Sequence, residues 1–511
     1  MSGRRRISTN AVSQLLAQAG VLALNLVASP VIVHGLGLEA YGLLVLVGIT
    51  TNYFGFVELG LGRATIQLLA HHRARGEASE LRAVFWTSTF AYLALSVVGA
   101  LALVATAPLM VEHVLAISPP LVPTALRAFV IGGAGLVVAM QRDVASSVAT
   151  AMERFDLVSR VTLGVGAVQT AVNVGLVLGG ASLVGVMLGG LAVQTGALLI
   201  YWALAFKLVP DLGPPRGSPE KLRGLLRFGG YVTVSQIVAP LLVHVEKILI
   251  GAFATVEQLP YYALPYNLAW ALTSVPTSLG NVIYPAMARL LAQDDHAGVR
   301  ETFRSATRLI YVVVLGPVVL LLVYAPQILT AWMGIAFAAR ASTCLRLLSV
   351  AVLVNVLAWP AYQLLHAAGR ADRTARFHLL ELLIHVPLSI VLISRAGVVG
   401  AALAWLLRVV LDTGLLLRAA APVAGLSVWS LARECLGRGT FAALALFPIA
   451  VAGRIWFSAG GRVETVALLS VLGFVYVLPA AWLGLSAADR SAVLVAVKSV
   501  VPGSRPAAAG P

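Results

Sequence analysis

Charge is what this chain has least of, and negative charge most of all. Asp and Glu number 21 against 36 Lys and Arg, and the four together make up 11% of 511 residues. Soluble globular domains carry about a quarter charged residues, so an ordinary soluble protein is excluded. Cysteine is nearly absent as well. Cys344 and Cys435 are the two present, and the topology below puts them near opposite membrane faces, so no disulfide, metal site or cofactor is expected. Acidic residues are missing from 10–33, which removes the group a first helix would need to hold a proton or a cationic drug. Large polar outer loops are missing too, which argues against a membrane glycosyltransferase or polymerase with acidic catalytic groups; Asp294-Asp295 falls on the inner side.

What is present is apolar: 59% of residues are hydrophobic and mean hydropathy is +0.92. The windows 83–111, 161–206 and 309–339 are uncharged, where about 20 residues suffice for one helical span. The middle window fits two helices joined at Gly179-Gly180-Ala181-Ser182. Extending this reading predicts an all-α polytopic membrane protein of about 14 spans, near 10–35, 41–67, 83–107, 122–150, 161–178, 183–206, 229–253, 259–287, 309–330, 342–366, 377–394, 397–417, 440–458 and 464–484.

A near-repeat organises these spans. Arg154-Phe155-Asp156 with Arg160 recurs as Arg370-Ala371-Asp372 with Arg376, at identical spacing. Around it, Ser13-Gln14 matches Ser235-Gln236, Leu59-Gly60 matches Leu279-Gly280, and Leu126-Arg127 matches Leu345-Arg346. Six spans per half is an even number, so both halves start on one face and the repeat is parallel. The expected domains are a six-helix lobe over 1–208, a linker over 209–228, a second six-helix lobe over 229–420, two additional helices in 421–490 and a tail over 491–511. Three prolines and two glycines in 211–220 prevent the linker from continuing a helix. The two additional helices are expected to pack on the lobes rather than line a path, and the tail to form an interfacial helix followed by disorder.

Lys and Arg concentrate on alternate loops, from Arg4-Arg5-Arg6 and Arg73, Arg75, Arg82 through Arg300, Arg304, Arg308 to Arg490, Lys498 and Arg505. The positive-inside rule then places both termini in the cytoplasm. The net charge of +15 is thereby explained as topology, with no nucleic-acid partner. Arg4 to Arg6 before an apolar run resembles a signal n-region, but the run is long enough to span and a retained first helix is expected.

The hairpin Ser29-Pro30-Val31-Ile32-Val33-His34-Gly35-Leu36-Gly37, with Glu39, Tyr41-Gly42 and Glu58-Leu59-Gly60-Leu61-Gly62, resembles the opening of bacterial polysaccharide-export flippases. These are the Wzx-type members of the multidrug/oligosaccharidyl-lipid/polysaccharide superfamily. Glu246-Lys247-Ile248-Leu249-Ile250-Gly251, followed by Leu259, Tyr261-Tyr262 and Tyr266, is similar to that family's seventh-helix motif, although Glu stands where the family usually has Asp. Gly397-Val398-Val399-Gly400-Ala401-Ala402 resembles its twelfth-helix opening. The resemblance covers roughly 1–420. It implies a flippase of the inner (plasma) membrane that moves undecaprenyl-diphosphate-linked oligosaccharide from the cytoplasmic to the outer leaflet by alternating access. The lipid-linked oligosaccharide and the bilayer are the implied partners, with a polysaccharide polymerase and glycosyltransferases as further candidates. A cation-coupled multidrug antiporter of the same superfamily is the alternative, and it would share the fold.

A diphosphate crossing hydrocarbon needs cations in a wet cleft, so charges within spans are the candidate site residues. The basic ones are Arg63, Arg127, Arg142, Lys247, Arg346 and Arg408; the acidic ones are Glu58, Asp143, Glu246, Glu381 and Asp412. Arg142 ranks first for substrate. It lies about 11 residues, or roughly 16 Å of helical rise, above Glu153 at the inner end, and the matching stretch Ala358-Trp359-Pro360-Ala361 is uncharged. The bland alternative is a pair with Asp143, against which stands the roughly 100° turn between successive helical residues. Arg63, Arg127 and Arg346 lie toward span ends, where snorkelling explains them equally well. Lys247 is a further substrate candidate. Glu58, Asp143, Glu246 and Asp412 are the ion-coupling candidates; inter-helix bonding is the alternative for Glu246 and Lys247, which have His244 close by. Arg408 and Asp412, four apart, fit a structural ion pair, and Glu381 is expected at the interface. Prolines within spans, among them Pro240, Pro265, Pro276, Pro285, Pro317 and Pro360, read as kinks or hinges, and Gly132-Gly133 with Gly135 as a close packing face.

The topology is open to direct test. Reporter fusions placed after Pro210 and after Ala507 should both report the cytoplasm, and an extracellular signal at either site would overturn the assignment.

Overall fold

A computed structural model describes residues 3–55, 61–214, 217–218, 222, 241–427, 429–430, 447–452, 464, 471–473 and 476. Among them no strand occurs. The helices are α1 (Gly3–Leu36), α2 (Leu38–Gly55), α3 (Leu61–Ala74), α4 (Ala78–Leu109), α5 (Val122–Ala151), α6 (Phe155–Leu178), α7 (Leu183–Leu208), α8 (241–253), α9 (Leu259–Trp270), α10 (Ser274–Ala292), α11 (His296–Met333), α12 (Ile335–Ala367) and α13 (Ala371–Ala420). Seven described stretches are long and apolar enough to cross a membrane, so the chain is a multi-pass membrane protein. Only helices can do this with the backbone's donors and acceptors satisfied within each segment. The last two expected spans and the tail lie mostly outside the described residues.

The expected spans map onto these helices with informative departures. The expected joint at 179–182 separates α6 from α7. The expected span 259–287 is instead α9 and α10, divided by a tight turn at Ala271–Thr273. Spans 377–394 and 397–417 appear as the two arms of α13, which bends at Ala396 (φ −134°, ψ 15°) and Gly397 (φ 53°, ψ −130°). The second of those conformations is one that a side chain would strain, and Gly397 supplies it.

The near-repeat has a local structural counterpart in how helices end. After α3 and after α10 the chain reverses through a left-handed residue, Gly76 (φ 69°) and Asp294 (φ 54°). After α5 and after α12 it does so through Glu153 (φ 56°) and Gly369 (φ 71°). Each turn closes with the same two bonds onto the orphan carbonyls of the preceding helix, for example Glu153 N to Thr150 O and Arg154 N to Ala149 O, then Gly369 N to His366 O and Arg370 N to Leu365 O. Arg154 and Arg370 therefore cap the starts of α6 and α13, with Asp156 and Asp372 in the first turns, where a carboxylate complements the helix dipole. In the loop after α3, a 2.6 Å bond from His72 holds the Glu77 carboxyl below the usual carboxylate range.

The chain forms two compact units, Met1–Leu264 with Leu382–Ala401, and Pro265–Glu381 with Ala402–Pro511. In the first, α5 packs between α4 and α7, with Phe85, Trp86 and Trp202 stacked edge to face or tilted across α4 and α7. Backbone approaches closely here: a side chain on Gly42 would collide with the Val256 carbonyl, and one on Gly400 with the Leu392 carbonyl across the α13 bend. In the second unit, Ile283 and Met287 of α10, Val299 and Phe303 of α11, Ala361 and Leu365 of α12 and Leu416 and Ala420 of α13 share one core.

These approaches make a stability test. Gly42→Val and Gly400→Val should each lower the melting temperature of the purified protein, at an overpacking cost of about 1–3 kcal/mol or more. Gly48→Ala, where the added methyl meets nothing within 4 Å, should be neutral or slightly stabilising.

Candidate functional site

Three groups of ionisable side chains lie inside these helices. The first centres on Arg142 in α5. Its Nε and Nη2 donate to Asp143 Oδ1 at 3.2 and 3.0 Å, and its Nη1 donates to Gln194 Oε1 of α7 at 2.6 Å. Gln194 Nε2 donates in turn to Gln169 Oε1 of α6 at 3.3 Å, and Gln169 Nε2 to Asn173 Oδ1 at 3.0 Å. One guanidinium thus heads a row of side-chain amides across three helices. The sequence argument against Arg142–Asp143 pairing does not hold, because the long Arg stem carries the guanidinium round the helix to its neighbour. Both side chains keep contact with the surroundings, 29% exposed for Arg142 and 51% for Asp143.

The second group is sealed. Glu246 of α8 and His385 of α13 are 0% and 1% exposed, with Oε1 and Nε2 2.8 Å apart. Ser389, one turn along, has its hydroxyl 3.4 Å from His385 Nδ1. Glu246 Oε2 has no hydrogen-bond partner. The adjacent Lys247, also buried, places Nζ 3.2 Å from His244 Nδ1. His385 is a residue that counting full charges in the sequence misses, since its partner lies 139 positions away. The available signal is an ionisable ring in the middle of an apolar span.

The third group corrects the sequence reading. Arg408 pairs with Glu381 across the α13 bend at 3.2 Å, rather than with Asp412 four residues on. Glu381, expected at the interface, is 0% exposed. The reason is the bend: it folds the two arms of α13 back on each other and brings the arm carrying Glu381 against the arm carrying Arg408. Asp412 is buried beside them, and its Oδ1 lacks a partner.

The remaining candidates are dispersed. Arg63 and Arg127 are exposed on α3 and α5. Arg346 donates Nε to the Leu322 carbonyl at 3.1 Å, which ties α12 to α11. Glu58 lies outside the described residues. Among the described residues, no set of three His, Cys, Asp or Glu is arranged to hold a metal ion.

The chain is a helical membrane protein with charges paired inside it, and comparison with known proteins adds its family. Residues 36–342 match the family model described as polysaccharide biosynthesis protein. The chain belongs to that family. A putative O-antigen transporter of Shigella flexneri is 23% identical over 393 residues, covering 75% of this chain and 90% of that protein. Among solved structures, the lipid II flippase MurJ in an inward closed conformation matches with a TM-score of 0.67 at 11% identity, over 90% of this chain and 97% of that one. An inward-facing multidrug resistance transporter of the MATE family matches with a TM-score of 0.65 at 14% identity, over 83% and 99%. These structural likenesses carry the fold. The chain is thus a multi-pass membrane protein of the polysaccharide biosynthesis family whose fold is shared with these transporters.

The sealed pair yields a prediction. His385→Ala leaves a buried carboxylate without a partner and should cost about 3–5 kcal/mol, read as lost membrane abundance and a lower melting temperature. Glu246→Gln combined with His385→Ala should recover part of that loss, since no full charge is then stranded.

Proposed function

We propose that this transporter is a flippase that carries an oligosaccharide linked through a diphosphate to undecaprenol from the cytoplasmic to the outer leaflet of the plasma membrane. The proposed cycle alternates access between the lobes 1–208 and 229–420, joined by the linker 209–228, with both termini cytoplasmic. The observation that carries this reading is the Arg142 group. A planar guanidinium is suited to bidentate phosphate contact, and the adjoining amides of Gln194, Gln169 and Asn173 offer the paired donors and acceptors that sugar hydroxyls use. Asp143 and Gln194 hold the guanidinium in place until a phosphate competes for it. The half-exposed position lets a headgroup reach it while the prenyl tail stays in lipid.

The lack of any acid over 10–33 supports an anionic cargo over a cationic drug. Outward movement of a negative headgroup is also assisted by an inside-negative potential, by about 2.3 kcal/mol per charge per 100 mV. Arg63, Arg127, Lys247 and Arg346 are proposed as secondary contacts along the route. A polysaccharide polymerase and glycosyltransferases are the proposed functional neighbours, as consumer and suppliers of the cargo.

Arg142→Ala should abolish export of the lipid-linked oligosaccharide while membrane abundance stays near normal. Arg142→Lys should retain export reduced about tenfold, equivalent to about 1.4 kcal/mol, because a point charge replaces a planar fork. If the Arg142–Asp143 bond were merely structural, Arg142→Ala would lower abundance, and Arg142→Ala with Asp143→Ala would restore both abundance and export. Full export by the double variant would overturn the ligand role.

A further inference from the structure

Helix α12 has two chemically distinct sides in its second half. Between 351 and 367 the fully buried residues are all apolar, Val352, Val356, Leu364 and Leu365 among them. Every polar or aromatic residue of that stretch, Asn355, Trp359, Tyr362, Gln363 and His366, is only partly buried. At 100° per residue these five fall within one sector of about 100°. Leu353 and Leu357 lie outside it and pack instead on the core around Tyr311, Val319 and Tyr324 of α11. Hydrocarbon satisfies neither an amide nor an indole N–H, so the half-open face of α12 borders water rather than lipid.

The side chains on this face are set out as a surface. The Tyr362 and His366 rings have centroids 4.2 Å apart and are tilted by 33°, and His366 Nε2 stands 3.2 Å from the Thr374 hydroxyl, which steadies the ring. Across from them is Gly280 of α10, where a Cβ would come within 2.6 Å of Gln363 Nε2 and 3.7 Å of Trp359 Cε3. Glycine leaves both side chains their room. Among the described residues, the Asn355 and Gln363 amides and the Trp359 indole make no hydrogen bond within the protein. Trp359 lies about ten residues, or roughly 15 Å of helical rise, before the turn at Gly369, much as Arg142 does before the matching turn at Glu153. One helix of the repeat thus carries a charge at that depth, and its counterpart an aromatic and amide face.

We propose that this face of α12 is a carbohydrate site that holds neutral pyranose rings of the cargo's oligosaccharide. A pyranose presents a face of C–H groups, which the negative face of an aromatic ring attracts; Trp359 offers one such ring and Tyr362 with His366 another. The free amides of Asn355 and Gln363 each carry a donor and an acceptor, so they can meet a hydroxyl in either sense. No Lys, Arg, Asp or Glu occurs in 351–367, which disfavours a phosphate, a uronate or a cationic drug as the occupant. The site rests on the flippase reading for the identity of the cargo. Sugar binding itself can be measured with no lipid carrier and no translocation.

The full chain, purified and placed in lipid nanodiscs, is to be probed by saturation-transfer NMR with maltose, with chitobiose, and with oligosaccharide released by mild acid from the lipid extract of producing cells. The C–H protons of at least one probe should gain signal over empty nanodiscs. Trp359→Ala should weaken that binding about tenfold, the worth of one aromatic contact, and Trp359→Phe should keep most of it. Asn355→Ala and Gln363→Leu should each weaken it less, with melting temperatures near wild type because these side chains are partly exposed. No transfer to any probe, or binding left unchanged by Trp359→Ala and Gln363→Leu, overturns the proposal. If Trp359→Ala does not fold, Asn355→Ala and Gln363→Leu decide by the same measure. Export without sugar binding overturns the site and leaves the flippase reading; sugar binding without export of the lipid-linked oligosaccharide does the reverse.

Discussion

A charge held away from water must find its counter-charge inside the protein, and most of what is specific about this chain follows from that requirement. Apolar helices in lipid have little reason to choose one neighbour over another, since lipid tails are as apolar as leucine. Buried ion pairs do discriminate, because leaving one partner alone costs several kcal/mol while the correct pairing recovers it. Glu246 with His385 fixes which face of α13 meets α8, and Glu381 with Arg408 fixes the register between the two arms of α13. Arg142, reaching Gln194 on α7, does the same for α5.

The three inner groups differ in how completely they are satisfied, and that difference sorts their roles. Arg142 is bonded on two sides yet remains partly exposed, a condition in which a competing anion can exchange for Asp143 without stranding a charge. Glu246 and His385 are closed off on all sides, so disturbing either is first a matter of stability. The Glu381, Arg408 and Asp412 group is closed off and unbalanced. Such a group is costly to keep, which is why it invites a functional explanation where a balanced pair does not.

Much of the fold was legible because its signals are local. Hydropathy windows located the helices, the glycine-rich joint at 179–182 separated α6 from α7, and the Arg–Asp repeat marked two helix starts that the structure caps in the same way. The turns at Gly76, Glu153, Asp294 and Gly369 add a counterpart that the residue names conceal. The left-handed residue is glycine at Gly76 and Gly369 but Asp294 and Glu153 at the matching positions, so the repeat is kept in backbone conformation where it has been lost in identity. The break at Ala271–Thr273 was not legible, since no glycine or charge marks it.

The site was legible only in part, and the reason lies in distance along the chain. Arg142 announces itself by depth and isolation, and Gln194 is invisible until α7 is laid beside α5. The i,i+4 rule suggested Arg408 with Asp412, but that rule ranks partners on one straight helix. The bend at Ala396 and Gly397 offers Arg408 a partner from the other arm, Glu381 at 3.2 Å. The same bend that makes the sequence misleading about pairing therefore leaves Asp412 buried with its Oδ1 unpartnered.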